Sequence, residues 1–291
     1  MNGADEKRSH ENAQRTDASI VTQFFLLPLA VVAGLVGIFL LFTMATRKTP
    51  AARDYLQTLR TGRFNQRWQA AFELSNLLKK GDITVKDPRL VHELVKAFEE
   101  SSASHEEDTR VKRYLALALG DSHSMEAVVP LQRAAMAEDP DTRLCALWGL
   151  AQLEVADSKD IFVSGLTDPD PAVRSVCAYG LGKSGKVGLG ELAALLKDSV
   201  PEVRWNAALS LARNGDSSGQ GILIELLDRK YLDGFLGLGG SEKAELILNA
   251  MRGLKHLRSQ GLEETMRNLA ETDPDPTVRR AAKSWDSSSA S

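Results

Sequence analysis

Three histidine-glutamate pairs are the residues of this chain best suited to hold a metal ion, because imidazole and carboxylate groups are common metal ligands. The pairs are His10-Glu11, His92-Glu93 and His105-Glu106. The first falls in a polar N-terminal segment, the second on a predicted helix and the third in a predicted loop. Side chains placed so differently do not converge on one ion, so we expect no metal site.

The cysteines and serines show no pattern typical of a catalytic nucleophile. Cys145 and Cys177 each fall on the apolar face of a predicted helix, where a thiol packs as a small hydrophobic group. No serine or cysteine stands in a distinctive turn with a partner histidine. The sequence therefore predicts no catalytic residue, no cofactor-binding residue and no enzymatic activity.

Regularly spaced arginines are the third set of residues that could do chemistry. Arg143, Arg174 and Arg204 stand 31 and 30 residues apart, and the phrase around Arg174 reads DPDPAVRSVCAYGLG. Related phrases surround Arg67, Arg110 and Arg279. A recurrence at this interval indicates a repeat array, so the arginines must be positioned by repeated elements.

Each phrase predicts a helix, a turn and a second helix. Asp170 precedes Pro171, so its carboxylate can cap free amide groups while proline takes the first helical position. Leucine recurs seven residues after the arginine, as at Leu181, and fills the space between neighbouring helices. Gly185 ends the first helix, and the apolar segment 189–196 follows as the second. The repeating unit is therefore a pair of antiparallel helices.

The pattern DPDPxVRxxAxxxLG resembles the short HEAT repeats that also occur in phycobilisome lyases, and the resemblance covers roughly residues 63–285. It implies an all-α fold, a right-handed α-solenoid of about six HEAT-like αα-repeats over residues 51–286. It also implies that the repeat arginines link adjacent repeats and are structural. These arginines are Arg143, Arg174, Arg204 and Arg279.

The N-terminal region predicts a tail and a membrane helix. Residues 1–19 are polar and mixed in charge, which predicts a disordered tail, and residues 287–291 predict another. Residues 20–46 carry no charge and are long enough to form one transmembrane helix. The alternative is a cleaved signal peptide, but the acidic leader and the length of the apolar run disfavour it.

Positive charge on either side of residues 20–46 predicts the topology. More Lys and Arg residues follow the segment than precede it, which places the N-terminus outside and the solenoid in the cytoplasm. Ala30 with Gly34, and Ala33 with Gly37, form small-residue pairs that could support oligomerisation through the membrane helix. The alternative is that they are ordinary small residues of a membrane helix.

One apolar insertion, residues 230–241, interrupts the repeat spacing. Loops with this composition commonly cover another surface. The segment either folds back over the core of the solenoid or docks onto a protein partner or the bilayer. Its candidate partner contacts are Tyr231, Leu232, Phe235, Leu236 and Leu238.

The predicted function rests on the net charge of the chain and on the extended surface of the predicted solenoid. The chain has 36 Lys and Arg against 39 Asp and Glu, a net charge of −3, which argues against a nucleic-acid partner. An extended solenoid surface suits protein recognition. We therefore predict a membrane-anchored scaffold that holds an unidentified protein partner at the cytoplasmic face. The alternative, implied by the resemblance, is a lyase-like or chaperone-like component that presents a chromophore or a client.

Overall fold

The computed structural model describes residues 52–81, 88–101, 106–154 and 158–285, together with seven residues between positions 29 and 38. The chain divides into two compact units, Met1–Pro50 and Ala51–Ser291. The predicted tails, residues 1–19 and 287–291, lie outside the described residues. Most of the predicted transmembrane segment also lies outside them.

The prediction of a single-pass membrane protein is contradicted by the part of the chain that the structure describes. No helix there is both long enough and apolar enough to cross a bilayer. A span needs about 20 consecutive apolar residues in one helix, and no described helix meets that requirement. The predicted membrane contact, cytoplasmic topology and oligomerisation through this segment have no support.

The second unit is helical throughout its described residues, with 3-10 turns at Met125–Ala127, Leu195–Lys197 and Ser217–Gly219 and no strand. Its α-helices are α1 (Ala52–Thr61), α2 (Phe64–Lys79), α3 (Pro88–Glu100), α4 (Glu106–Asp121), α5 (Val128–Ala134), α6 (Pro140–Leu153), α7 (Lys159–Gly165), α8 (Pro171–Lys183), α9 (Leu189–Ala194), α10 (Pro201–Arg213), α11 (Gln220–Glu225), α12 (Arg229–Asp233), α13 (Gly240–His256), α14 (Glu263–Thr272) and α15 (Pro276–Lys283).

The longer helices form one continuous layer, in which α2, α4, α6, α8, α10 and α13 each pack on the next. The shorter helices between them pack against this layer, as α5 does on α6 and α7 does on α8. This arrangement confirms the prediction of an all-helical repeat solenoid.

Aspartate caps and prolines set where the long helices begin. The Asp170 carboxylate accepts a hydrogen bond from the Ala172 amide at 2.8 Å, and Pro171 is the first residue of α8. Asp275 caps α15 in the same way, through the Thr277 amide at 2.7 Å. Each carboxylate satisfies an amide that has no partner within its own helix.

Glycine allows α4 and α6 to approach closely. A Cβ atom added to Gly120 would lie 2.4 Å from the Cα atom of Gly149, which is far inside van der Waals contact. Both positions are therefore restricted to glycine by the neighbouring backbone and not by their own dihedral angles.

The core consists of two clusters that meet at one helix. The first cluster extends from Ala52 to Leu211, and the second extends from Trp205 to Ala282. Helix α10 contributes to both clusters. A solenoid without one central core is built in this way, because each repeat buries its apolar face only against its neighbours.

Candidate functional site

The repeat arginines make paired contacts within and between repeats. The Nε and Nη2 groups of Arg143 donate to the Asp168 carboxylate at 2.9 Å each. Those of Arg174 donate to Asp198 at 2.8 and 2.9 Å. The Nη1 group of Arg174 donates to the backbone carbonyls of Asp168 and Pro169. The Arg174 guanidinium thus links its own turn to the next turn. Its hydrogen bonds to the Asp198 carboxylate lower the pKa of Asp198 below its ordinary value.

Arg204 and Arg279 keep only part of this pattern. Their Nη1 groups donate to the carbonyls of Asp198 and Asp273 at 2.8 and 2.6 Å. The Asp273 carboxylate, however, accepts from Arg229 of α12, at 3.0 and 2.9 Å. Arg229, the first residue of α12, therefore supplies to Asp273 the guanidinium that Arg143 and Arg174 supply to Asp168 and Asp198.

A second departure from the sequence pattern occurs in α4. Arg113 pairs with Asp139 of the next repeat, with its Nη2 group 2.8 Å from the carboxylate. Arg110, the position that the sequence alignment equates with the repeat arginines, lies over the Trp68 ring at 5.5 Å. The weak similarity of this repeat is enough to shift the linking arginine by three residues.

The apolar insertion packs mainly on the solenoid. Tyr231 and Phe235 surround Trp205 with ring centroids 6.5 and 4.9 Å from the indole, and Leu232 is completely buried. Leu238 also packs against the second core cluster. Leu236 is fully exposed. The prediction that this segment contacts a partner stays a prediction, and in this conformation only the Leu236 side chain is fully open to one.

The thiols and histidines do not form a reactive centre in the described residues. Burial raises the pKa of Cys145 to about 11 and that of Cys177 to about 12, so both are protonated near neutral pH. His92 Nδ1 lies 2.6 Å from a carboxylate oxygen of Glu126. His10 and His105 lie outside the described residues. The described part of the chain holds no group of three or more potential metal ligands.

A groove of about 690 Å³ crosses the layer of long helices. Its walls come from α8, α10 and α13, and α6 contributes Trp148. The lining residues are Trp148, Ser175, Val176, Tyr179, Asn206, Leu209, Ser210, Arg213, Asn249, Arg252, Gly253 and His256.

Aromatic rings form one end of the groove. Trp148 and Tyr179 are stacked, with ring centroids 5.2 Å apart and an angle of 13° between their planes. Trp148 is 39% exposed, so part of its ring faces solvent. The Arg213 guanidinium lies 5.4 Å from the centre of the Tyr179 ring, at a distance typical of a cation–π contact. Such a surface can stack on a flat conjugated molecule.

Two guanidinium groups and one imidazole line the rest of the groove. Arg213, Arg252 and His256 line it, and its described lining contains no Asp or Glu. The chain as a whole has a net charge of −3, so the groove is a local reversal of sign. This combination of stacked rings and two guanidinium groups suits a flat anionic ligand.

Sequence reasoning missed this groove. It placed the candidate partner contacts on the insertion, residues 230–241. The available signal was an aromatic residue five positions after the arginine in two consecutive repeats, at Trp148 and Tyr179. Two such residues fall on the same face of adjacent parallel helices.

The central repeats match a known family model. Residues 100–182 and 160–233 match the family model described as HEAT repeats, which confirms that prediction.

Two known proteins give the resemblance more detail. One is the bilin biosynthesis protein MpeU of Synechococcus sp. (strain WH8020), which is 37% identical over 102 residues. The match covers 33% of this chain, and the chain spans only 33% of the length of MpeU. The other is the solved complex of CpcE and CpcF of phycocyanin lyase from Nostoc sp. PCC7120, with a TM-score of 0.60 at 18% identity. That alignment covers 81% of this chain and 87% of the other, and it supports the fold alone.

These relatives contradict two predictions. We expected a membrane-anchored scaffold without enzymatic activity, but one relative is a bilin biosynthesis protein and the other belongs to a phycocyanin lyase. The prediction was wrong because the sequence presents no catalytic constellation, and a groove assembled from four repeats leaves no short motif. The findings favour the alternative, a lyase-like or chaperone-like component.

Proposed function

We propose that this chain is a lyase-like or chaperone-like component of bilin biosynthesis or attachment, and that it holds a bilin in the groove between α6 and α13. The observation that carries the proposal is the joint presence of stacked Trp148 and Tyr179 with Arg213 and Arg252 in a groove whose described lining has no acid. The partial match to MpeU supports the bilin as the ligand class.

The chemistry of a bilin fits such a groove. A bilin is a linear tetrapyrrole with a conjugated, nearly flat π-system and two propionate side chains. Aromatic faces contact the π-system, and guanidinium groups balance the carboxylates. The groove volume of about 690 Å³ lies in the range of small-molecule sites.

The bilin is held without a covalent bond in this proposal. A thioether would require an accessible thiolate, and the only two cysteines of the chain are protonated at neutral pH. Neither cysteine lines the groove. A non-covalent holder can release the bilin to an acceptor protein, as a carrier or a lyase component must do.

The proposal includes a protein partner. The solenoid fold resembles that in the CpcE and CpcF complex, and the groove is partly open to solvent. We take residues 51–286 as the functional unit. A second protein that contacts the rim of the groove would complete the enclosure of the bilin.

The test is a titration of the purified chain with biliverdin, followed by visible absorbance and circular dichroism. We expect an induced circular dichroism band and its weakening in Trp148→Ala and Tyr179→Ala. Phe72→Ala is the matched control, because Phe72 is a similarly exposed aromatic residue outside the groove. Absence of any induced band in the unmodified chain, or equal weakening by Phe72→Ala, would count against the proposal.

A further inference from the structure

Two arginines face the groove from opposite sides of one close helix contact. A Cβ atom added to Gly253 of α13 would lie 3.3 Å from the Cβ atom of Ala212 in α10. Arg252 directly precedes Gly253, and Arg213 directly follows Ala212. Both arginines line the groove, so their guanidinium groups are presented by adjacent helices held as close as glycine permits.

These two arginines differ from the linking arginines in their contacts. Each linking arginine forms an ion pair with an aspartate of the protein, as seen for Arg143, Arg174 and Arg229. Arg213 lies over the Tyr179 ring, and Arg252 donates from Nη1 to the Asn249 side-chain oxygen at 2.6 Å. Within the described residues, the groove that they line offers them no carboxylate. Their charge is therefore balanced by no acidic group of the groove.

The neighbouring Lys183, unlike the two groove arginines, forms an ion pair with a carboxylate. Lys183 also lies near the Tyr179 ring, at 5.7 Å, but its amino group is 2.7 Å from Glu154 in the adjoining groove. Glu154 lines that adjoining groove together with Arg213, but its ion pair is with Lys183. Arg252 does not line the adjoining groove.

We propose that Arg213 and Arg252 are positioning residues that each bind one carboxylate of a dianionic ligand, while Tyr179 and Trp148 contact its conjugated body. This inference rests on the proposed function, in which the ligand is a bilin. The two propionates of a bilin stand on neighbouring central rings, which suits two guanidinium groups on neighbouring helices. Each guanidinium can donate two parallel hydrogen bonds to the two oxygens of one carboxylate. The groove therefore selects the diacid form of the ligand.

The test compares biliverdin with biliverdin dimethyl ester, which has the same π-system and no carboxylate charge. Dissociation constants are measured by induced circular dichroism for the unmodified chain, Arg213→Gln and Arg252→Gln. We expect each substitution to weaken diacid binding about tenfold, the usual effect of losing one charged hydrogen-bonded contact. Ester binding should be about a hundredfold weaker than diacid binding in the unmodified chain and unchanged by the substitutions.

Arg280→Gln is the matched control, because Arg280 is exposed on α15 and lies outside the groove. It should leave both dissociation constants unchanged. The diacid-to-ester ratio of the unmodified chain tests the inference even if a variant fails to fold. Equal binding of diacid and ester overturns the inference and leaves bilin binding intact, whereas failure of both ligands to bind overturns the proposed function with it.

Discussion

At the scale of single residues, this protein uses arginine in two ways. Arg143, Arg174 and Arg229 are largely buried and pair with an aspartate of a later turn. Arg213 and Arg252 are exposed and line the groove. A partly buried arginine whose carboxylate is supplied by the fold contributes to stability, whereas an exposed one without such a carboxylate is available to a ligand.

Removing a linking arginine should destabilise the fold. Arg174 and Asp198 have side-chain exposures of only 14% and 9%. Arg174→Ala leaves the Asp198 carboxylate without its guanidinium, so we expect the free energy of unfolding to fall by roughly 3 kcal/mol. Urea unfolding followed by far-UV circular dichroism measures the change. Arg280→Ala, on the exposed face of α15, should change it by less than about 0.5 kcal/mol, and a similar loss in both variants would contradict the assignment.

The same ion pair predicts a pH dependence of stability. Hydrogen bonds from Arg174 lower the pKa of Asp198 in the folded state. A lowered pKa stabilises the fold at pH values above the unfolded-state pKa of about 4, and this stabilisation is lost as the pH falls through the folded-state pKa. Asp198→Asn should therefore be less stable than the unmodified chain at about pH 7, and the difference should shrink below about pH 4. Urea midpoints across this range measure it, and a constant difference would refute the pKa argument.

The sequence predicts some of these residue roles and misplaces others. Asp170 and Asp275 follow a local rule, because a cap depends only on its own turn. The pairing of Arg113 with Asp139 instead of Arg110 depends on how α4 is rotated against α6, which no short segment encodes. Arg229 could not be found by repeat alignment, since it directly precedes the insertion and stands outside the repeated phrase.

At the scale of helices, close packing of the long layer depends on small residues at the crossings. Gly120 and Gly149 meet between α4 and α6, and Gly253 meets Ala212 between α13 and α10. The second of these crossings also sets the separation of the two groove arginines. Helix spacing and ligand geometry are thus determined by the same contacts.

A methyl group at the first crossing should destabilise the solenoid. Gly120→Ala places Cβ 2.4 Å from the Gly149 Cα atom, so α4 and α6 must separate, and we expect a loss of about 1 to 3 kcal/mol. Gly221→Ala is the control, because nothing lies within 4 Å of its added Cβ and it occupies an exposed site in α11. That variant should be neutral or more stable by up to about 1 kcal/mol. Thermal unfolding distinguishes the two, and equal effects would show that the crossing is not tight.

Sequence patterns predict the helix pairs but do not predict the short helix α12 or the groove. The arginine period and the leucine spacing predict one long helix per repeat, and the structure has those helices. The insertion contains most of a short helix, α12, and Trp205 is contacted by Tyr231 of this helix and by Phe235 beyond it. Its position depends on tertiary contacts with α10 and not on local propensity. The groove was missed for the same reason, because its residues are about one repeat apart.

At the scale of the whole molecule, the groove lies over the junction of the two core clusters. Trp148 and Tyr179 stand on helices of the first cluster, whereas Arg252 stands on α13, which belongs to the second. A ligand that contacts both therefore bridges two parts of the solenoid that share only α10. Because each repeat interacts mainly with its neighbours, a bound ligand should stabilise the repeats that line the groove and leave distant repeats unchanged.

Hydrogen exchange should reveal that bridge. With biliverdin bound, we expect slower amide exchange in α6, α8, α10 and α13, which line the groove, and unchanged exchange in α1 to α3. Mass spectrometry of peptic fragments gives the comparison for the free and bound chain. Protection spread evenly over the solenoid, or confined to α1 to α3, would contradict the location of the site.

The pairing of Arg143 and Arg174 with the turn one period ahead has a consequence for how this gene can change in length. Deletion of residues 168–197 would join Thr167 to Asp198, which then stands at the position along the chain from which Asp168 contacts Arg143. Recombination between the DNA segments that encode two neighbouring repeats could thus remove one repeat. Arg143 would still have a carboxylate partner, supplied by Asp198. We expect the shortened chain to fold to a helical protein by far-UV circular dichroism and to lose bilin binding, since Tyr179 would be gone.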